Sequence, residues 1–181
     1  IGQDTYLPDT QASTGDWGGI SYRDDVDTDA GRRNLEDEGI FLQYVNHADL
    51  RYGGGSVNID SVEQVVNPIQ MIDVRPTVTF NTVSLSADAA MSAAPDSFAE
   101  TSFHEPLYQL GGLFTSDYSR VGPDIHNNQL INNSLNGLFI KVDTAAGQSI
   151  RPLTVGARFD DIDITHIVAE NVIVTGPPGG A

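Results

Sequence analysis

Two stretches of this chain, 47 residues apart, repeat the same spacing of asparagine and apolar residues. Asn81 and Asn128 each precede an apolar residue by two positions. Ten residues after each asparagine comes an apolar residue that stands behind a small one, in the pairs Ala90-Met91 and Gly137-Leu138. Repetition at a fixed period indicates a chain that stacks one structural unit on the next.

The small-apolar-x-apolar end of this repeat occurs twice more, at Gly19–Tyr22 and at Gly39–Leu42, with starts 20 residues apart. A solenoid coil of about 20 to 25 residues would account for this spacing, and the interval of 47 residues would then be two coils. The repeat therefore predicts a single β-solenoid domain over residues 1–181.

Strand and turn residues dominate the rest of the chain. The apolar runs are short, rich in Ile, Val, Phe, Thr and Tyr, and separated by Gly, Asn, Asp and Pro, which is typical of strands joined by turns. These runs are Trp17–Tyr22, Ile40–Val45, Val78–Leu85, Leu138–Val142 and Ile162–Val174. The Ala- and Ser-rich segment Ser86–Ala94 resembles a helix in composition, but the repeat predicts a bend followed by a strand.

Alternation along each strand predicts which side chains form the core. Asparagines at the corners are expected to adopt left-handed backbone angles and to bond through their amides to the next coil. Glycine or alanine is expected where a larger side chain would clash. The inward-facing set is predicted to include Val83, Met91, Leu130 and Leu138.

The segment Asn128–Ile140 resembles the repeat of right-handed parallel β-helices, the superfold of pectate-lyase-like proteins. Gly15–Ile20, Asp49–Gly55, Arg75–Asn81 and Glu170–Gly176 are similar to segments of very large secreted bacterial surface proteins. The resemblance implies an all-β, right-handed parallel β-helix in an extracellular or cell-surface location, within a repetitive and multidomain parent. It implies no activity.

Two parts of the chain depart from the repeat. Residues 24–38 form an acidic excursion, and residues 176–181 are expected to form a flexible Pro/Gly tail. The chain begins at Ile1, which we interpret as a processed chain or a piece of a larger protein. The apolar run Asn171–Thr175 lies close to the end, so we expect the terminal coils to stack on copies of the chain or on adjacent solenoid domains.

The charge of the chain limits its partners. There are 25 acidic and 9 basic residues, which gives a net charge of −16. Such a surface repels phosphate backbones, so nucleic acid is excluded as a partner, and the chain contains no apolar run long enough for membrane insertion. The chain has no cysteine, which excludes disulfides and thiolate-ligated metals.

The acidic excursion contains the best candidate metal site. Asp25, Asp27, Asp29 and Glu36 occupy positions one, three, five and twelve of a loop with the oxygen ligands of an EF-hand-type calcium site. The fit is incomplete, because Ala30 stands at the sixth position, where glycine is usual. The sequence therefore predicts calcium as the one candidate cofactor, and a solvated acidic loop is the alternative.

A second acidic cluster lies near the C-terminus. Asp160, Asp161 and Asp163 follow Arg158, and acidic calcium ligands with a basic residue are what a pectate-lyase-like groove would use. A turn before a strand with a polar outer face is the simpler interpretation. The four histidines are scattered, and none forms a zinc motif.

Exposed aromatic residues could form a surface on which a sugar stacks, or they could be buried or act as caps. The candidates are Trp17, Tyr44, Tyr52, Tyr108 and Tyr118.

The sequence favours a non-enzymatic structural or adhesive module that stacks end to end into a surface or matrix fibre. The alternative is a polysaccharide-binding protein or a polysaccharide-lyase-like enzyme. No residue is assigned a catalytic role, and carbohydrate is the candidate ligand of the exterior.

Overall fold

The computed structural model describes residues 11–23, 43–59, 61–98, 122–142, 149, 159 and 162–173. In these residues the chain forms short strands and one 3-10 helix, Pro95–Phe98. The strands are β1 (Ile20–Arg23), β2 (Tyr44–Asn46), β3 (Asp49–Arg51), β4 (Ser56–Ile59), β5 (Val62–Val65), β6 (Ile69–Ile72), β7 (Thr77–Thr79), β8 (Thr82–Ser84), β9 (Ala89–Ala93), β10 (Asp124–His126), β11 (Gln129–Ile131), β12 (Leu135–Ile140) and β13 (His166–Ile167).

Eleven of these strands belong to three parallel sheets. Sheet A has the order β1-β6-β9-β12-β13, sheet B the order β10-β7-β2, and sheet C the order β11-β8-β3. Successive passes of the chain place one strand in each sheet, as β7, β8 and β9 do before β10, β11 and β12. The predicted all-β fold with parallel strands is confirmed, and the arrangement is compatible with a β-solenoid.

The strand register corrects the predicted length of one repeat. Met91 pairs with Ile69 on one side, 22 residues earlier, and with Leu138 on the other side, 47 residues later. The interval of 47 residues is therefore one step between neighbouring strands, and the interpretation as two coils was wrong. Residues 99–121 lengthen this step, and loop-closure entropy rises only slowly with the number of residues in a connection.

Inward-facing side chains of the three sheets meet in one core. Met91, Leu138 and Val83 are fully buried, and Leu130 packs against them from a half-buried position. The four residues predicted to share one interior therefore do so. Ser86–Ala94 contains the bend and the strand, β9, that the repeat predicts in place of a helix.

The corners between strands use left-handed backbone angles. Asn127 has a φ of 57° and Asn132 a φ of 54°, as predicted for corner asparagines. The amide nitrogen of Asn81 donates to the side-chain oxygen of Asn128 in the next pass at 3.0 Å. Side-chain amides therefore tie neighbouring corners together, as the sequence indicates.

Close packing explains two conserved-spacing glycines of sheet A. A Cβ atom on Gly19 would lie 1.7 Å from the carbonyl oxygen of Asn67, and one on Gly137 would lie 2.7 Å from the carbonyl oxygen of Thr165. Neither position accommodates a side chain without movement of the neighbouring backbone. The small residue in the repeat is thus required by the approach of an adjacent pass.

One element departs from the parallel scheme. Strands β4 and β5 form an antiparallel hairpin between sheet C and sheet A, with Val57 opposite Gln64. The amide of Val66 donates to the carbonyl of Gly55 at 3.2 Å, so the two ends of the hairpin are adjacent. The hairpin therefore branches out from the repeated path of the chain, and the repeat did not predict it.

Candidate functional site

The outer face of sheet B carries exposed and polar side chains. Val45, Val78 and Ile125 point into the core in adjacent positions, so their neighbours along each strand point outward. Tyr44 is one of these neighbours, and 65% of its surface is exposed. Sheet B thus has an apolar inner face and an outer face available to a partner.

Three rings line the edge of this face, and we call His47, Phe80 and His126 the aromatic ridge. The rings of His47 and Phe80 are stacked, with centroids 5.2 Å apart and an angle of 7° between their planes. Phe80 meets His126 edge to face at 5.8 Å. Phe80 remains 51% exposed. An exposed apolar ring held between two imidazoles provides a surface on which a flat apolar group can stack.

The ridge depends on the left-handed corner residues. His47 and Phe80 have φ values of 50° and 56°, an uncommon conformation for residues with large side chains. Each follows a strand of sheet B directly, and the parallel register of these strands places the two corners side by side. The backbone geometry of the repeat therefore presents the two rings together.

Two ion pairs decorate the outer faces. Nδ1 of His126 lies 2.8 Å from a carboxylate oxygen of Asp124. On sheet C, Nε of Arg51 donates to Asp49 at 2.9 Å. The hydrogen bond from Arg51, followed by its positive charge, holds the pKa of Asp49 below its ordinary value. Both groups of the Arg51–Asp49 pair are exposed, so the pair adds little to stability.

A cavity of about 240 Å³ lies between β5 of the hairpin and strands β6 and β9 of sheet A. We call it the hairpin cavity. It is lined by Val62, Gln64, Val65, Gln70, Met71, Ile72, Ser92, Ala93, Ala94 and Lys141.

Polar atoms without partners face the outer side of sheet A here. Gln70 and Ser92 are adjacent in the register, and they are 5% and 0% exposed. The side-chain oxygen of Gln70 and the hydroxyl of Ser92 have no hydrogen-bond partner among the described residues. Nζ of Lys141 donates to the carbonyl of Val65 at 3.1 Å, across the opening between sheet and hairpin. A buried polar atom without a partner costs about 1 to 3 kcal/mol.

The predicted calcium ligands lie outside the described residues. This holds for Asp25, Asp27, Asp29 and Glu36, and for the whole excursion at 24–38. The tail at 176–181 also lies outside them. In the part of the chain that the structure describes, no cluster of three or more metal-binding side chains occurs.

Of the second acidic cluster, only Asp163 is described, and its side chain is exposed. Arg158, Asp160 and Asp161 lie outside the described residues, so the predicted cluster stays a prediction. His166 lies in β13, opposite Leu138. In the described ranges, no helix is long and apolar enough to cross a membrane.

The predicted aromatic surface is only partly brought together. Tyr44 is exposed on sheet B, whereas the Trp17 indole N–H donates to the carbonyl of Arg51 at 2.6 Å and so links two passes of the chain. Tyr52 is half-buried, and Tyr108 and Tyr118 lie outside the described residues.

Sequence reasoning missed both the aromatic ridge and the polar side chains of the hairpin cavity. His47 and Phe80 are 33 residues apart, an interval that the 47-residue repeat does not contain. An alignment of Val45-Asn-His47 with Val78-Thr-Phe80 could have found the ridge, because both triplets end a strand of sheet B. For the hairpin cavity, the sequence carries no comparable signal.

Comparisons of the chain with protein-family models, with curated proteins and with solved structures found no match. The candidate sites therefore rest on the geometry of this chain.

Proposed function

We propose that this chain is a non-enzymatic structural or adhesive module of a cell surface or extracellular matrix, built as a right-handed parallel β-helix that stacks end to end. The observation that carries the proposal is the open order of sheet A. Strands β1 and β13 form its two edges, and within the described residues neither has a second neighbouring strand. Unpaired strand edges recruit further strands.

The lateral surface suits a spacer or fibre. Each described pass repeats the same path through three sheets, so added passes or added copies would extend the molecule along one axis. The net charge of −16 disfavours side-to-side contact between copies, since their lateral surfaces repel one another. Association through the edges of sheet A would leave these surfaces in solvent.

The test is imaging and light scattering of the 181-residue chain over a concentration series. We expect linear particles whose length increases with concentration while their width stays constant. A monomer of constant mass at all concentrations, or particles that grow in width, would contradict end-to-end stacking.

A second candidate function is polysaccharide binding, as in the pectate-lyase-like class, and the aromatic ridge favours it. Sugar rings present apolar faces that stack on exposed aromatic side chains. Retention on an immobilised polysaccharide that is lost in Phe80→Ser but kept in Ile131→Ser would support this function. Ile131 is a matched control, because it is an exposed apolar residue on sheet C, 43% accessible, away from the ridge.

A further inference from the structure

The hairpin cavity has the chemistry of a small-molecule site. Its lining includes one charged group, the ammonium of Lys141, and no carboxylate. Lys141 is also the only lysine of a chain with 25 acidic residues. The single ammonium retains hydrogen-bond donors beyond the one that it gives to Val65. A ligand in the cavity would therefore meet a positive charge that no lining carboxylate neutralises.

The unpartnered atoms define what else the ligand must carry. The side-chain oxygen of Gln70 accepts hydrogen bonds only, whereas the hydroxyl of Ser92 can donate or accept. An inorganic anion without a proton to donate would leave the Gln70 oxygen unsatisfied. A hydroxyl group on the ligand would satisfy it.

The remaining walls are apolar and limit the size of the ligand. Val62, Val65, Met71 and Ile72 contribute carbon surface, and the volume of about 240 Å³ is small for a ligand pocket. We propose that the hairpin cavity binds a small hydroxycarboxylate, whose carboxylate lies at Lys141 and whose hydroxyl donates to Gln70. This proposal is independent of end-to-end stacking, because the cavity lies on the side of sheet A.

The test uses Lys141 as a single reporter. In a sample labelled with ¹³C only in lysine, the side chain gives one set of NMR signals, which we would follow at neutral pH and at a concentration where the protein is monomeric. The probes are L-lactate, which has both groups, propionate, which lacks the hydroxyl, and 1,2-propanediol, which lacks the charge. We expect saturable shifts with lactate and about ten-fold weaker binding of the other two, since each lacks one hydrogen-bonded or charged contact.

Variants separate this site from non-specific effects. Gln70→Met keeps the size of the side chain and removes the acceptor, so lactate binding should weaken about ten-fold to the level of propionate. Gln129→Met is the control, because Gln129 is an exposed glutamine on sheet C. Thermal unfolding of both variants would establish that they fold.

Equal shifts with all three probes, or no saturation with any of them, would overturn the proposal and show that the cavity holds only water. Unchanged lactate binding in Gln70→Met would overturn the assignment of the hydroxyl to Gln70. A failure of stacking would leave both results unaffected, because the titration is performed on the monomer.

Discussion

Asn81 shows how much of this fold depends on single buried polar residues. Its side chain accepts a hydrogen bond from the amide of Ala48 at 2.9 Å, and it donates to the carbonyl of Val45 and to the side chain of Asn128, both at 3.0 Å. Three passes of the chain therefore meet at one amide that is only 1% exposed. A residue that cannot both donate and accept would leave buried backbone groups unpaired.

The first prediction concerns this amide. Asn81→Ala should lower the free energy of unfolding by about 2 to 4 kcal/mol, because buried partners lose their hydrogen bonds. Asn46→Ala is the control, since Asn46 is exposed on β2, and its effect should stay within about 0.5 kcal/mol. Chemical denaturation of both variants measures the difference, and equal effects would show that water replaces the amide of Asn81.

The second prediction concerns the exposed pair of Arg51 and Asp49. Arg51→Gln should raise the pKa of Asp49 toward its ordinary value of 3.8, because the hydrogen bond and positive charge that lower it are lost. A lowered carboxyl pKa stabilises the folded state above the ordinary pKa, and this contribution disappears as the pH falls through the lowered pKa. The small difference in stability between the two proteins should therefore be present at neutral pH and absent in strong acid.

An NMR titration of the carboxyl carbons would measure the pKa of Asp49. Asp16 is the internal control, because hydrogen bonds from Ser13 lower its pKa and Arg51 plays no part. The pKa of Asp16 should be the same in both proteins. An unchanged pKa of Asp49 in Arg51→Gln would mean that the pair does not form in solution.

At the scale of elements, the parallel strands and the hairpin have separate roles. Strands β6, β9 and β12 pair in register and carry the most buried side chains of the core. The hairpin β4–β5 leaves this path at Gly55 and rejoins it at Val66, where a hydrogen bond of 3.2 Å already links the two residues. The hairpin is therefore an added cover over one side of sheet A.

The third prediction follows from this geometry. Replacing residues 56–65 by two glycines should preserve cooperative unfolding, because the ends to be joined are already in contact and a short connection costs little entropy. The same deletion should increase amide hydrogen exchange in β6 and β9, whose outer face it uncovers, and leave exchange in β7 and β8 unchanged. Loss of cooperative unfolding would instead make the hairpin part of the core.

The fourth prediction concerns the acidic loop. If Asp25, Asp27, Asp29 and Glu36 bind calcium, the ion relieves the repulsion between four close carboxylates. Calcium at about a hundredfold excess over its Kd should then raise the melting temperature by about 5 to 10 °C. Asp27→Ala should abolish the increase, and Glu63→Ala, at an exposed position on the hairpin, should not. A melting temperature that calcium does not change would reject the site.

At the scale of the whole molecule, the edges of sheet A and the net charge act against each other. The edges favour association, whereas a net charge of −16 on each copy opposes it. Salt screens this repulsion over about 10 Å at 0.1 M. Ionic strength is therefore expected to control the assembly that we propose.

The fifth prediction is a variant that blocks one edge. The amide of Ile20 donates to the carbonyl of Pro68 at 3.0 Å, and alternate residues of a parallel strand bond to the same neighbour. The amide of Ser21 therefore points away from β6. Ser21→Pro removes this outward donor without removing a hydrogen bond of the sheet, and proline is tolerated on edge strands.

Wild-type chain and Ser21→Ala should associate increasingly as salt is raised, and Ser21→Pro should remain monomeric under the same conditions. Light scattering distinguishes these outcomes, and circular dichroism would check that the proline variant keeps its strands. Association of Ser21→Pro at the wild-type level would show that β1 is not the contact.

Much of the fold could be predicted from local features of the sequence. The corners at Asn127 and Asn132, the inward positions of Val83 and Leu138, and the strand within Ser86–Ala94 follow from backbone preference and alternation, which act over a few residues. A glycine such as Gly137 indicates close packing for the same reason. The repeat preserved these signals at each pass, and so the parallel all-β class was determined by the sequence alone.

Only the tertiary structure decided which passes are neighbours and what they bring together. Met91 lies between Ile69 and Leu138 at intervals of 22 and 47 residues, because pairing depends on matching surfaces and tolerates connections of different length. The same pairing places Phe80 beside His47, and Gln70 beside Ser92 under the hairpin. Single residues in the sequence do not reveal such contacts, because each contact depends on a partner whose position in space is set by the register of the whole stack.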